Sequence, residues 1–299
     1  MLKFAKITLA LLVMATLAIT AVAEETEESK SSPLHLVVMD PLAAPLSCPC
    51  VEGYAQRKYE KLAEFLATRI DRDIKLVFSE SLKKAMDGEA AGRVDLVIGK
   101  DSVVKYDLKK HKLDMKPLAA LTGKDGKTTQ TGLLVVPSED PAKTVKDLKG
   151  YKLFLGPEDS DEKHNAILAL LKDAGVEIPE KFDMSPACSD GASKVLELGK
   201  DVRGAAVISS YAKPLLVGCG TIPKGALRVV GETKPVPFIT VYASSALKKS
   251  ELDSLKESFM LVSRNAFLKH FLETKDGFVP YPSKKKPKKG KVSNKPTDQ

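Results

Sequence analysis

The chain of 299 residues contains no tryptophan, only 6% aromatic residues and four cysteines. It also lacks the Gly-x-Ser-x-Gly, His-Glu-x-x-His and dinucleotide-binding motifs, and no pair of acidic residues stands out for acid–base chemistry. These absences argue against an enzyme. The best catalytic alternative is a thiol oxidoreductase using Cys48-Pro49-Cys50, although such enzymes usually have the Cys-x-x-Cys spacing.

The first residues have the features of a secretory signal peptide. Lys3 and Lys6 precede an apolar stretch from Ile7 to Ile19, and Ala21–Ala23 has the small-x-small pattern of a cleavage site. An uncleaved membrane anchor is the weaker alternative, because a bilayer span usually takes about 20 apolar residues. We predict that residues 1–23 are removed and that the mature chain is soluble and exported, in the periplasm or an equivalent compartment.

The positive charge is concentrated at the two ends of the chain. The formal net charge is +8, but residues 1–23 contain two lysines, and residues 283–299 contain seven lysines and one aspartate. The remaining body is close to neutral, so it has no electrostatic footprint for nucleic-acid binding. We predict that the basic tail at 283–299 is disordered, either as a solubilising segment or as one that adheres to anionic envelope polymers or lipids.

Strand and helix patterns alternate along the body. Leu34 to Met39 is a near-continuous apolar run of strand length, which is typical of a sheet buried on both faces. Similar runs occur at 152–155 and 204–209, and apolar residues recur at helical spacing across 53–70. The alternation predicts an α/β fold with mostly parallel sheets flanked by helices, in which ligands bind at the carboxyl ends of strands.

Four stretches of the body resemble the type II periplasmic solute-binding proteins, in particular the phosphate/phosphonate branch that serves ABC importers. The resemblance depends on their order and spacing rather than on any one motif. The stretches are V-V-M-D-P-L-A-A-P (37–45) with the helix after it, G-R-V-D-L-V-I-G (92–99), the run from Leu133 to Pro157 with its D-L-K-G, and the run from Ala187 to Tyr211.

The resemblance implies two lobes joined by two crossing strands, with a solute trapped as the lobes close. Lobe one would comprise residues 33–124 and 236–282, and lobe two residues 125–235. The two hinge crossovers would then lie in the glycine-rich loop 123–132 and near 234–237.

The ligand loops of the family, transferred position by position, imply six contacts in the interlobe cleft. They comprise an aromatic wall, two polar groups of lobe one, a donor at a helix start and two polar groups of lobe two. In that order, the residues are Tyr54, Asp101, Ser102, Ser160, Ser189 and Asp190.

The third ligand loop departs from the pattern of the family. In the phosphonate binders it is rich in serine and threonine at a helix start, where an oxyanion binds. This chain has G-P-E-D-S-D-E-K-H at 156–164, before a helix predicted from Ser160 to Ala174. Either Asp159 or Ser160 caps that helix and the acidic residues stabilise its first turn, or the acidic residues repel an oxyanion and favour a cation, an amine or a metal.

The cysteines allow two further interpretations. In an oxidising compartment they permit up to two disulfides, such as Cys188–Cys219 and a strained, redox-labile bond between Cys48 and Cys50. Alternatively, Cys48, Cys50 and Cys188 could bind copper or zinc together with His164, because thiolate and imidazole ligands suit these soft metals.

These observations together predict an exported solute-binding protein without a cofactor. It would capture a small phosphonate- or phosphate-like ligand in the interlobe cleft and, as a monomer, dock onto the permease of an ABC importer. The alternative is a metal-binding or thiol-redox accessory protein that kept the fold and lost transport.

Overall fold

The computed structural model describes residues 32–47, 51–52, 55–179, 182–199 and 201–282. The predicted signal peptide, the basic tail, Tyr54, Cys48 and Cys50 lie outside the described residues. Within the described ranges, none of the helices has the length and apolar character needed to cross a bilayer.

The described residues form α-helices and β-strands in alternation for most of the chain. The helices are α1 (Glu60–Ile70), α2 (Leu82–Asp87), α3 (Asp101–His111), α4 (Asn165–Asp173), α5 (Cys188–Glu197), α6 (Ala212–Gly218), α7 (Lys249–Leu261) and α8 (Ala266–Phe271). The strands are β1 (Leu34–Met39), β2 (Ile74–Phe78), β3 (Leu96–Lys100), β4 (Met115–Leu121), β5 (Thr129–Gln130), β6 (Gly132–Pro137), β7 (Lys152–Leu155), β8 (Asp183–Met184), β9 (Gly204–Ser209), β10 (Leu227–Glu232), β11 (Val236–Pro237), β12 (Ile239–Ser244) and β13 (Phe278–Pro280). Short 3₁₀ helices cover Val145–Leu148, Asp161–Lys163 and Val262–Arg264.

The first lobe is built on a six-stranded sheet in the order β13-β4-β12-β3-β1-β2. Strand β1 is parallel to both β2 and β3, and β12 lies antiparallel between β3 and β4. Side chains of β1 alternate between two cores: Leu36 and Val38 pack with Leu66 of α1, whereas Val37 packs with Val104 of α3. The sheet is therefore buried on both faces, as the continuous apolar run predicts.

The second lobe is built on a five-stranded sheet in the order β10-β6-β9-β7-β8. Strand β7 is parallel to β8 and β9, and β6 is antiparallel to β9 and β10. Ile167 and Leu171 of α4 pack in one core of this lobe, and Val195 of α5 packs in the other.

Two short strands connect the lobes. The chain leaves the first sheet after β4, passes through β5 into β6, and returns from β10 through β11 into β12. Strands β5 and β11 pair antiparallel, with Gln130 opposite Val236. This topology confirms the two-lobe α/β fold with two crossovers, and the antiparallel strands β6 and β12 make both sheets mixed.

One predicted helix boundary is wrong. The helix predicted from Ser160 instead consists of a 3₁₀ turn at Asp161–Lys163, followed by α4 from Asn165. The Ser160 side chain does not cap this turn. It hydrogen-bonds to Lys100 of the first lobe, a partner that local sequence cannot indicate.

Candidate functional site

A cavity of about 560 Å³ lies where the carboxyl ends of strands from the two sheets meet, and we call it the cleft cavity. Its volume falls in the usual range for small-molecule sites. Much of its wall is apolar and includes Leu42, Leu46, Val103, Leu215 and Leu216. The charged residues that line it are Glu80, Lys100, Asp159 and Lys163.

Lys100 joins the two lobes at the cleft cavity. It is the last residue of β3 and is only 6% exposed. Its ammonium nitrogen Nζ donates hydrogen bonds to Ser160 Oγ at 2.5 Å and to Glu162 Oε1 at 2.7 Å, both in the loop after β7. Ser102 Oγ, at the start of α3, accepts a further hydrogen bond from the Asp161 N–H across the lobes at 3.3 Å. Lys100 is thus already paired by residues of the opposite lobe.

Glu162 is the fully buried partner of Lys100. Its Oε1 also accepts a hydrogen bond from Ser209 Oγ, at the end of β9, at 2.5 Å. Its Oε2 is buried and has no hydrogen-bond partner among the described residues. An ion pair in the interior is stabilising only when its remaining hydrogen bonds are made. The burial of this carboxylate is therefore unfavourable for the free energy of folding.

Gly132 allows the Glu162 segment to approach β6. A Cβ atom on Gly132 would lie 1.9 Å from the backbone oxygen of Glu162, far inside a van der Waals contact. Gly156 plays a similar part at the start of the loop, where a Cβ would lie 2.4 Å from Cβ of Lys163. The two glycines therefore let this loop fold back against the sheet and direct Glu162 towards Lys100.

Two other charged groups line the cleft cavity from the second lobe. Burial raises the pKa of Asp159 above the ordinary aspartate value. Lys163 is buried, and its Nζ donates to the backbone oxygen of Pro186 at 2.6 Å. The second lobe thus places one carboxylate and one ammonium group on the same wall.

A buried network fixes the loop that follows β1. Asp40 Oδ2 accepts hydrogen bonds from Arg57 Nη1 at 2.8 Å and from the Tyr59 hydroxyl at 2.5 Å, and its Oδ1 accepts from the Leu42 N–H. Burial and, to a smaller extent, the charge of Asp40 raise the pKa of Tyr59 well above its ordinary value. Because Leu42 lines the cleft cavity, this network positions part of its wall.

The predicted ligand contacts take different positions around this cavity. Ser160 and Ser189 line it. The Asp101 carboxylate is buried and accepts hydrogen bonds from Tyr242 and Lys105, while Asp190 is exposed and accepts from the Ala187 N–H at 3.4 Å. Tyr54 lies outside the described residues. The role of each residue as a ligand contact stays a prediction.

The structure gives no support to the soft-metal hypothesis. Across the described ranges, no three His, Cys, Asp or Glu side chains form a group that could bind a metal ion. His164 Nδ1 contacts the backbone oxygen of Gly156 at 2.8 Å, and its ring packs 5.8 Å from that of Phe182, measured between centroids. The proposed ligands Cys48 and Cys50 lie outside the described residues.

The disulfide considered between Cys188 and Cys219 is not formed. Cys188 is a free thiol whose Sγ lies 3.3 Å from the Ser209 backbone nitrogen and 3.5 Å from Ser209 Oγ. Cys219 Sγ lies 3.0 Å from Thr221 Oγ1. The two sulfur atoms thus have different polar neighbours, and Cys188 lies beside the serine that contacts Glu162.

Sequence reasoning placed Lys100 and Glu162 in stretches expected to face the cleft but missed that the two residues pair with each other across the lobes. A lysine directly after the buried run L-V-I-G is a usable signal, because it places a cation at the carboxyl end of a central strand. Glu162 gives no comparable signal, since its neighbours Asp159 and Asp161 are equally acidic.

The chain belongs to the phosphonate-binding family of periplasmic substrate-binding proteins of ABC transporters. The sequence profile of this family, described as "ABC transporter, phosphonate, periplasmic substrate-binding protein", matches residues 53–283. Comparison with curated proteins gave no significant sequence match.

Solved structures with the same fold include three proteins from other bacteria. XAC2383 from Xanthomonas citri, bound to ATP, superposes with a TM-score of 0.63 at 18% identity over 84% of this chain and 92% of its own. PhnD1 from Prochlorococcus marinus, in complex with methylphosphonate, gives 0.62 at 15% identity over 85% and 94%. PA3383 from Pseudomonas aeruginosa, a binding protein component of an ABC phosphonate transporter, gives 0.61 at 14% identity over 84% and 82%. At these identities the likeness shows the type II binding-protein fold.

Proposed function

We propose that this protein is an exported receptor that captures a small ligand with an oxyanionic head group and an apolar body in the cleft cavity. The observation that carries the proposal is the composition of that cavity, in which Lys100 and Lys163 lie within a largely apolar wall between two lobes. The closed receptor would deliver its ligand, as a monomer, to the permease of an ABC importer after removal of residues 1–23.

The head group is suggested by the family and by the two lysines. The profile that matches this chain describes phosphonate receptors, and PhnD1, which has the same fold, is bound to methylphosphonate. Lys100 Nζ has three donor hydrogens, and Ser160 and Glu162 accept two of them. The third is available to a ligand oxygen in the cleft cavity.

We infer that the ligand has an apolar body from the charge balance at Lys100. Because Glu162 already neutralises this ammonium group, a phosphonate or phosphate head group gains less from it than from an unpaired cation. Asp159 on the same wall opposes the anion further. Contact with Leu42, Val103 and Leu216 must therefore supply much of the affinity.

We infer that the two lobes open and close from the hydrogen bonds that cross the cleft. We propose that residues 33–124 with 236–282 move as one body and residues 125–235 as the other, about the crossover strands β5 and β11. The Lys100–Glu162 and Ser102–Asp161 hydrogen bonds join these bodies. They support a closed arrangement whose opening requires both to break.

The proposal is tested with a homologous series of n-alkylphosphonates, from methyl to octyl, by isothermal titration calorimetry on the mature protein. Each buried methylene contributes about 0.8 kcal/mol, so the dissociation constant should fall about fourfold per added carbon until the cavity is full. Inorganic phosphate and the matching alcohols are controls for the head group alone and the body alone. Affinity independent of chain length, or phosphate binding as tightly as the best phosphonate, contradicts the proposal.

A further inference from the structure

The residues that helix α3 exposes to solvent carry positive charge or an aromatic ring. They are Lys105, Tyr106, Lys109 and Lys110, and the exposed Lys112 follows directly after the helix. The two acidic residues of the helix, Asp101 and Asp107, are both buried. Their carboxylates accept hydrogen bonds inside the fold, from the Tyr242 hydroxyl and from the Leu82 N–H. The helix thus separates its charges, and we call its five exposed residues, including Lys112, the basic face.

Most of the charge of the basic face is available to a partner. Lys105 Nζ forms an ion pair with Asp101 at 2.7 Å. Among the described residues, the other three lysines of the face form no ion pair with an acidic side chain. Lys110 Nζ lies 5.8 Å from the ring centroid of Tyr106, a contact that does not neutralise its charge. The exposed Asp114, which follows in the chain, offsets at most one of these charges.

The basic tail begins next to the same helix. Tyr281 precedes the first residue of the tail by two positions, and its hydroxyl accepts a hydrogen bond from Lys105 Nζ at 3.2 Å. The same ammonium nitrogen lies 5.8 Å from the Tyr281 ring centroid. The tail at 283–299 adds seven lysines and one aspartate. The chain therefore enters its most basic segment from a residue that contacts the basic face.

The composition of the basic face and tail indicates the kind of partner. Every cation in both is a lysine. Arginine forms the planar, bidentate contacts that recognise single phosphates, whereas lysine acts as a point charge and suits a diffuse layer of negative charge. Tyr106 is 41% exposed among these lysines, and tyrosine is enriched at membrane–water interfaces, where its ring lies at the level of the head groups. Clusters of about four to eight basic residues are typical of segments that bind anionic lipids.

We propose that the basic face and the basic tail together bind a membrane surface rich in anionic phospholipids. The lysines are attracted to the charged head groups, and Tyr106 packs at the interface between head groups and acyl chains. The protein is then a peripheral membrane protein, and this binding does not require the ligand of the cleft cavity. Attachment to the membrane raises the local concentration of the receptor around any membrane-embedded partner.

The test measures co-sedimentation of the mature full-length chain with vesicles of equal parts phosphatidylglycerol and phosphatidylcholine. Vesicles of phosphatidylcholine alone control for charge and should bind weakly. Because each lysine near an anionic membrane contributes about fivefold in affinity, K109Q/K110Q should weaken binding about tenfold or more. Removal of residues 283–299 should weaken it further, and added salt should weaken it in every variant by screening.

The matched control removes two adjacent exposed lysines elsewhere in the same lobe. Lys248 and Lys249 lie at the start of α7, whose Phe259 packs in the core on the opposite face of the first sheet from α3. K248Q/K249Q should bind the vesicles as wild type does. Both double variants change exposed side chains only, so their melting temperatures should equal that of wild type.

A second pair of variants tests the aromatic contact. Tyr106→Ser should weaken vesicle binding a few-fold, whereas Phe267→Ser, at an aromatic residue of α8 that is 60% exposed, should not. The proposal is overturned if wild type binds both kinds of vesicle equally, or if K109Q/K110Q binds as tightly as wild type, because the tail then acts alone. It is also overturned if wild type binds soluble polyphosphate but not the anionic vesicles, because the partner is then a soluble polyanion.

Discussion

The cleft cavity and a second cavity, of about 610 Å³ beside the crossover strands β5 and β11, share Tyr211 in their walls and differ in the state of their buried polar groups. In the cleft cavity, Lys100 is paired with Glu162 and Ser160 across the lobes. Beside the second cavity, both amide atoms of Gln130 are buried and have no hydrogen-bond partner among the described residues. A paired charge holds two parts of the chain together, whereas a buried amide without a partner is unfavourable for folding. The cleft cavity therefore has the features of a clamp, and the second cavity does not.

The largest expected effect is on stability and comes from removing the cation of the cleft. Lys100→Met leaves the buried carboxylate of Glu162 without its partner, which should lower the free energy of unfolding by about 3–5 kcal/mol. The double variant K100M/E162L replaces both charges by apolar groups and should recover most of that loss. Urea denaturation measures both. If K100M is as stable as wild type, the pair is not a clamp and the contrast between the cavities disappears.

A smaller loss is expected when the loop that bears Glu162 is displaced. Gly132→Ala places a Cβ against the Glu162 backbone oxygen, and such overpacking typically costs about 1–3 kcal/mol. Gly199→Ala is the control, because a Cβ there meets no atom within 4 Å. The same denaturation experiment applies, and equal stability of the two variants contradicts the role given to Gly132.

Removing the negative charge of Glu162 should raise the affinity of the cleft cavity for an anion, because Lys100 then loses its internal carboxylate partner. Glu162→Gln keeps the shape of the side chain but leaves the ammonium charge for the ligand, so methylphosphonate should bind about fivefold more tightly, or about 1 kcal/mol. Glu80→Gln is the control, because Glu80 lines the same cavity and is paired with Lys84 at the surface. Titration calorimetry should show a clearly smaller gain for E80Q. If E162Q binds methylphosphonate no more tightly than wild type does, Glu162 does not compete with the ligand for Lys100.

The smallest effect concerns pH. Because burial raises the pKa of Asp159, this carboxylate gains its proton at a higher pH than an ordinary aspartate. Protonation removes a negative charge from the cavity wall, so affinity for an anion should increase as the pH falls through that pKa. An alkylsulfonate is the suitable probe, since its head group keeps one charge throughout. Asp159→Asn should abolish most of the pH dependence, and an unchanged profile in this variant excludes Asp159 as its source.

Much of the fold could be predicted from the sequence because its signals are local. Strands β1, β7 and β9 occupy Leu34–Met39, Lys152–Leu155 and Gly204–Ser209, the ranges that their apolar runs indicate. The two-lobe topology was implied by the resemblance to the type II periplasmic solute-binding proteins, and the matching family profile confirms the family.

The boundaries and contacts of the third ligand loop could not be predicted in the same way. Ser160 resembles a helix cap in sequence, yet its hydroxyl is used by Lys100, sixty residues earlier in the chain. Cys188 suggested a disulfide or a metal ligand, and its sulfur instead lies beside Ser209 at the end of β9. In each case a long-range contact took precedence over the local pattern.

The sequence by itself determined that this chain alternates strands with helices, has a nearly neutral body and belongs among the periplasmic substrate-binding proteins. The alternation and the charge depend on periodicity and composition, which are local, and the family follows from the resemblance of the sequence to its members. The tertiary structure alone decided that Lys100 is paired across the cleft and that the amide of Gln130 is not paired in the part of the chain it describes. Burial and hydrogen bonding depend on which distant residues meet, and the order of residues along the chain does not state that.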